Sequence, residues 1–185
     1  KFENHPYYRW CEELFADVYG CIVGGPLAAI SMQALLTSID RDRAWKDDEE
    51  HPTPVLRLFI MAEILRILGE IELQQDAGQV GTAHGYRFDV IADKLDEDWG
   101  KILKHWGYDQ MGASGKERPA RPLRVYSHDN SSLHLDTIVN VDRVIHALRP
   151  IIVEFATILL RVADFDDDQE GVLSTKIPWT AYNVR

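Results

Sequence analysis

Apolar side chains recur at helical spacing through most of the long segments of this chain, and that period decides what it can fold into. Trp10, Leu14, Val18 and Ile22 stand four residues apart with Cys11 and Phe15 beside them, which predicts a helix from about Pro6 to Ile22. Pro6 suits a first turn, where its missing N–H costs nothing. Gly24-Gly25 ends this helix and Pro26 opens the next, which carries Leu27, Ile30, Met32, Leu35 and Leu36. A long helix is expected from about Pro54 to Gln74, with Leu56, Phe59, Ile60, Ile64, Ile67, Leu68 and Ile71 as its apolar stripe. Another spans roughly Arg87 to Trp106, and a last one runs from about Leu135 to Ala163, with Pro150 placed to kink or divide it. Alternation with a period of two is best in Leu123-Arg124-Val125-Tyr126, and it is brief. The expected class is all-α, an irregular bundle of about five to six helices with a long loop.

At 185 residues the chain is long enough for one domain with a sizeable core. We read 1–185 as a single helical domain, in which 79–185 extend the helices of 1–78 and include an irregular loop at 107–130. That loop holds Gly107, Gly112, Gly115, Pro119 and Pro122 and is locally basic, which suits a surface loop or a lid. Residues 39–53 form a charged loop, and an acidic tail from Asp164 ends in the more apolar Ile177-Pro178-Trp179. A net charge of −10 disfavours nucleic acid and anionic membranes as partners. The uncharged stretch that begins at Val18 is broken by Gly24-Gly25-Pro26, which makes it unsuited to span a bilayer. Cys11 and Cys21 fall in one helix, about 15 Å apart at 1.5 Å per residue, far beyond disulfide reach. With no secretory signal visible, a reduced, cytoplasmic protein is expected. The chain starts Lys-Phe-Glu, so a processed or truncated start is expected.

The chemistry is concentrated near the beginning. Glu13 and Asp17 are four apart and share a helix face, and Ala16, Gly20 and Gly24 continue roughly along that side. Carboxylates beside small residues suit the close approach of a helix or an ion. On spacing alone the commoner arrangement is a solvated face. Downstream, His51-Pro52-Thr53-Pro54-Val55-Leu56-Arg57 stands at the head of the long helix.

The run E-x-x-A-D from Glu13 to Asp17 resembles the third-ligand helix of the gluzincin zinc peptidases. H-P-x-x-x-x-R from His51 to Arg57 is similar to a segment of the HtpX-type and CAAX-prenyl-processing members, in the same order along the chain. The resemblance covers roughly residues 9–68. It implies that Glu13 ligates zinc, that Asp17 orients a ligand histidine from behind, and that His51 donates to the developing oxyanion. Arg57 would anchor its segment on a carboxylate such as Asp17. The family's H-E-x-x-H, which supplies two imidazoles and the general base, occurs nowhere between Lys1 and Arg185, and the family's transmembrane helices are absent as well. Zinc is therefore expected only if that helix comes from outside this chain.

Two functions follow. The first is the C-terminal portion of a soluble zinc-dependent peptidase acting on a polypeptide substrate. The second is a non-catalytic helical module that binds a protein partner through the 107–130 loop or the tail near Trp179. Other signals are weaker. Asp142 and His146 suit a surface pair four residues apart, and Asp89, Asp93 and Glu97 suit a solvated face. Residues 164–168 lack the Gly and Glu of a calcium loop, and no Gly-rich phosphate loop occurs.

Overall fold

A computed structural model describes residues 8–39, 41–44, 51–76, 88–106, 123–126, 132–135 and 138–170. A 3-10 turn at Tyr8–Trp10 leads into α1 (Cys11–Gly24), followed by α2 (Pro26–Thr37) and a single turn, α3 (Arg41–Ala44). Then come α4 (Pro54–Asp76), α5 (Phe88–His105), the strands β1 (Leu123–Tyr126) and β2 (Ser132–Leu135), and α6 (Ile138–Glu170). The class is all-α, a helical bundle with one short antiparallel ribbon.

Glycine and proline reverse the chain between α1 and α2. Gly25 has φ 56° and ψ −146°, a backbone region that side chains with a Cβ rarely adopt, and Pro26 then starts α2 at its first position. The two helices pack on each other and both pack on α4. The start expected at Pro6 lies outside the described residues; the α-helix proper begins at Cys11, after a 3-10 turn that buries Trp10.

The long helix differs from the expected single stripe. Leu58, Met61, Ala62 and Leu65 are buried together with Leu56, Ile60, Ile64, Ile67 and Leu68, so α4 is covered on nearly every side. It is the central helix, packed by α1, α2, α5 and α6. Each fully buried Leu or Ile contributes ~1.5–3 kcal/mol relative to exposure, which puts much of the bundle's stability in this element. Gly69 permits the approach of α5: a Cβ there would lie 3.2 Å from the Cβ of Phe88. Along α5 the buried residues Phe88, Ala92, Leu95, Trp99 and Leu103 form one stripe, and the Trp99 indole donates to the Val55 carbonyl at 2.9 Å.

Downstream the ribbon corrects the expected boundaries. Leu123–Tyr126 does form a strand, pairing Leu123 with Leu135 and Tyr126 with Ser132. Leu135, expected to open the last helix, belongs to β2 and α6 starts at Ile138. The helix runs uninterrupted through Pro150 and continues past Ala163 to Glu170, where an acidic tail was expected. The remainder of the 107–130 loop and the tail around Trp179 lie outside the described residues. No helix among the described residues is long and apolar enough to cross a membrane.

The two kinds of helical glycine predict opposite outcomes in urea unfolding. Gly69→Val, forced against Phe88, lowers stability by about 1–3 kcal/mol. Gly20→Ala, whose Cβ meets nothing within 4 Å, raises it by about 0.5–1 kcal/mol.

Candidate functional site

Two elements build the site. Helix α1 places Glu13 and Asp17 one turn apart, and the segment entering α4 carries His51 just before the helix and Arg57 in its first turn. The Thr53 carbonyl accepts the N–H groups of Leu56 at 2.8 Å and Arg57 at 3.2 Å, which starts α4 and fixes the direction in which Arg57 leaves it. Because α1 packs against α4, the guanidinium meets the α1 carboxylates from the side.

The resulting geometry is a fork with an extra tine. Arg57 Nε donates to Asp17 Oδ2 at 3.0 Å, and Arg57 Nη2 donates to Asp17 Oδ1 and to Glu13 Oε2, each at 2.7 Å. His51 Nε2 stands 3.3 Å from the other Glu13 oxygen, Oε1. All four residues expected to share a site are thus within hydrogen-bonding reach, although 40 and 44 residues separate Arg57 from its two partners.

Burial grades the cluster. The Asp17 side chain is only 4% exposed, whereas His51 is 44% exposed and opens the cluster to solvent. Burial pushes the Asp17 carboxyl above its ordinary range; the Arg57 fork opposes that shift and the charge of Glu13 adds to it. Burial alone would weaken the Arg57 guanidinium as a base, but Asp17 and then Glu13 outweigh it and hold Arg57 above its ordinary value. One turn beyond Asp17, burial pushes the Cys21 thiol up to about 12, and the Asp17 charge adds to the effect. Cys11 and Cys21 are not joined by a disulfide.

Catalytic zinc takes three protein ligands and an open position, and among the described residues no group of three or more His, Cys, Asp or Glu side chains is placed to hold a metal ion. Of the cluster's groups, His51 is the most exposed, while Asp17 and Glu13 both accept from the Arg57 guanidinium.

A second polar cluster escaped sequence reasoning. Glu63, buried on α4, pairs with Arg149 of α6, which also reaches Glu70. Arg66 bonds Asp93 at 2.7 Å and Asp96 at 2.6 Å on α5. Phe59, Glu63 and Arg66 floor a groove of about 510 Å³ between α5 and α6. The available signal was a glutamate and an arginine inside the otherwise apolar run from Ile60 to Leu68. Asp93 and Glu97 are exposed as expected, while Asp142 and His146 make no ion pair with each other.

Comparison of the chain with protein-family models, with curated proteins and with solved structures returns no match.

Two measurements check the electrostatics. Arg57→Ala leaves Asp17 buried without its counter-charge, which costs about 3–5 kcal/mol and lowers the melting temperature by roughly 2–4 °C for each of those kcal/mol. The deficit narrows on acidification, because a protonated Asp17 has no charge to leave unpaired, and Asp17→Ala in the same chain recovers part of it. For Cys21 the folded state holds the proton more tightly than the unfolded chain, whose ordinary value is 9.0. Stability is therefore intact below pH 9 and falls as pH rises from there toward about 12, by up to about 4 kcal/mol. Cys21→Ala flattens that alkaline slope in denaturant titrations.

Proposed function

We propose that this chain is the C-terminal, mostly helical part of a soluble zinc-dependent peptidase resident in the cytoplasm. The observation that carries the reading is the convergence of Glu13, Asp17, His51 and Arg57, which join two motifs of one peptidase group in their usual order. In this reading Glu13 offers one carboxylate oxygen as a metal ligand. Asp17, buried and held by Arg57, orients an incoming histidine. His51, half-exposed beside Glu13, would turn toward a substrate oxygen and donate to it as negative charge develops. Arg57 ties the His51 segment to α1 and so sets the distance between the two halves of the site.

The metal and two histidines come with an H-E-x-x-H helix outside these residues. Small residues at Ala16 and Gly20 continue the Glu13 side of α1, and a Cβ added at Gly20 meets nothing within 4 Å, which supports the approach of another element there.

A second reading has its own observation. Arg57 already hydrogen-bonds both carboxylates and His51 Nε2 stands 3.3 Å from the remaining Glu13 oxygen, so every carboxylate oxygen of the cluster has a polar neighbour with no ion. That is what a decayed peptidase kept as a helical protein-interaction module would show.

One substitution separates the two readings. In a polypeptide that includes the H-E-x-x-H helix, Glu13→Gln lowers bound zinc, measured by elemental analysis, and abolishes peptide hydrolysis. Zinc content unchanged by Glu13→Gln, with only stability reduced, favours the second reading.

A further inference from the structure

Around the groove between α5 and α6, two guanidinium groups are shared among four carboxylates. Arg66 bonds Asp93 and Asp96 and stands 3.7 Å from Glu63, while Arg149 pairs with Glu63 and Glu70. With every group ionised this network carries an excess of two negative charges. The rest of the lining does not offset the excess, because Glu97 and Asp142 are matched there by Lys101 and Lys104. One oxygen shows the shortfall directly. Asp96 Oδ2 accepts from Arg66 Nη2 at 2.6 Å, whereas Asp96 Oδ1 is buried and accepts no hydrogen bond. Leaving a buried acceptor unmet costs about 1–3 kcal/mol. Burial pushes the Asp96 carboxyl above its ordinary range; Arg66 opposes that shift, and the charges of Asp93 and Glu63 add to it.

Surplus negative charge beside an unmet acceptor selects a cation that can also donate a hydrogen bond. Size and lining narrow the cation further. The groove holds about 510 Å³, within the roughly 300–1,000 Å³ of small-molecule sites and far more than a bare ion fills. Among the described residues no group of His, Cys, Asp or Glu side chains is placed to hold a metal. Phe59 of α4 and Val141 and Ile145 of α6 give the groove apolar walls, which favour a hydrocarbon body over a hydrated ion. An ammonium group supplies both the charge and the N–H.

We infer that the groove between α5 and α6 binds an organic ammonium ion with an apolar body, a primary amine that donates to Asp96 and lays its hydrocarbon part on Phe59, Val141 and Ile145. The site is separate from the Glu13 cluster and does not depend on the peptidase reading.

Calorimetric titration of the 185-residue chain with phenethylamine tests it. The expected result is saturable binding of one amine per chain. Affinity falls about tenfold or more when phenethyl alcohol replaces the amine, and again for the amine in Asp96→Asn, as the loss of one charge-assisted hydrogen bond requires. Asp98→Asn removes the same charge from an exposed position of α5 outside the groove and should leave the affinity unchanged. Absence of binding, equal binding of the alcohol, or the same loss in both variants overturns the inference. Should Asp96→Asn fail to fold, nuclear Overhauser contacts between the amine's ring and the methyl groups of Val141 and Ile145 in the unaltered chain take its place. Their presence supports the site, and their absence overturns it.

Discussion

A helix with no wet side left over cannot leave its charges alone, and that constraint on α4 organises the bundle. Arg57, Glu63 and Arg66 emerge from an element whose neighbours are almost all buried apolar residues. Each finds its opposite on a different helix: Arg57 on α1, Glu63 on α6 and Arg66 on α5. Partly buried pairs of this kind add little net stability, because desolvation offsets most of the attraction. Losing one partner is costly, however, so the pairs discriminate against rotated or shifted packings. In this bundle apolar burial supplies the cohesion and the charges supply the register.

The Glu13 cluster is one product of that arrangement. Its position follows from two local facts, the turn at Gly25-Pro26 that folds α1–α2 against α4, and the Thr53 carbonyl that opens α4 just before Arg57. Neither fact concerns chemistry, yet together they bring a carboxylate pair, a guanidinium and a half-exposed imidazole into one place. The inner end of the cluster is fixed and dry, and the outer end is wet. Asp17 occupies the dry end and His51 the wet one.

The sequence disclosed these levels unevenly. Four-residue spacing from Trp10 to Ile22 was sufficient for α1, and Gly24-Gly25-Pro26 for the turn, because both signals are local. The meeting of Arg57 with Asp17 was legible only through the resemblance, since no periodicity reports a contact across 40 residues. A single stripe was too narrow for α4: Leu58, Met61 and Leu65 lie off it, and all-round burial has no period to detect. The pairing of Glu63 with Arg149 was invisible for the same reason as any long-range contact. At the ribbon, Ser132-Leu133-His134-Leu135 alternates as plainly as Leu123–Tyr126, but its proximity to a strong helical pattern hid it. The helical course of 164–170 ran against the low helix propensity of its aspartates, which continuation from a long preceding helix overrode.

The bond from the Trp99 indole to the Val55 carbonyl joins α5 to the stretch of backbone between His51 and Arg57. The same ring meets Trp106 edge-on, with centroids 5.5 Å apart. The protein therefore carries its own optical gauge: an indole in a dry setting, coupled to a second chromophore and fastened beside the site. Anything that tilts the entry of α4 alters that bond and the light the ring emits, with no label attached.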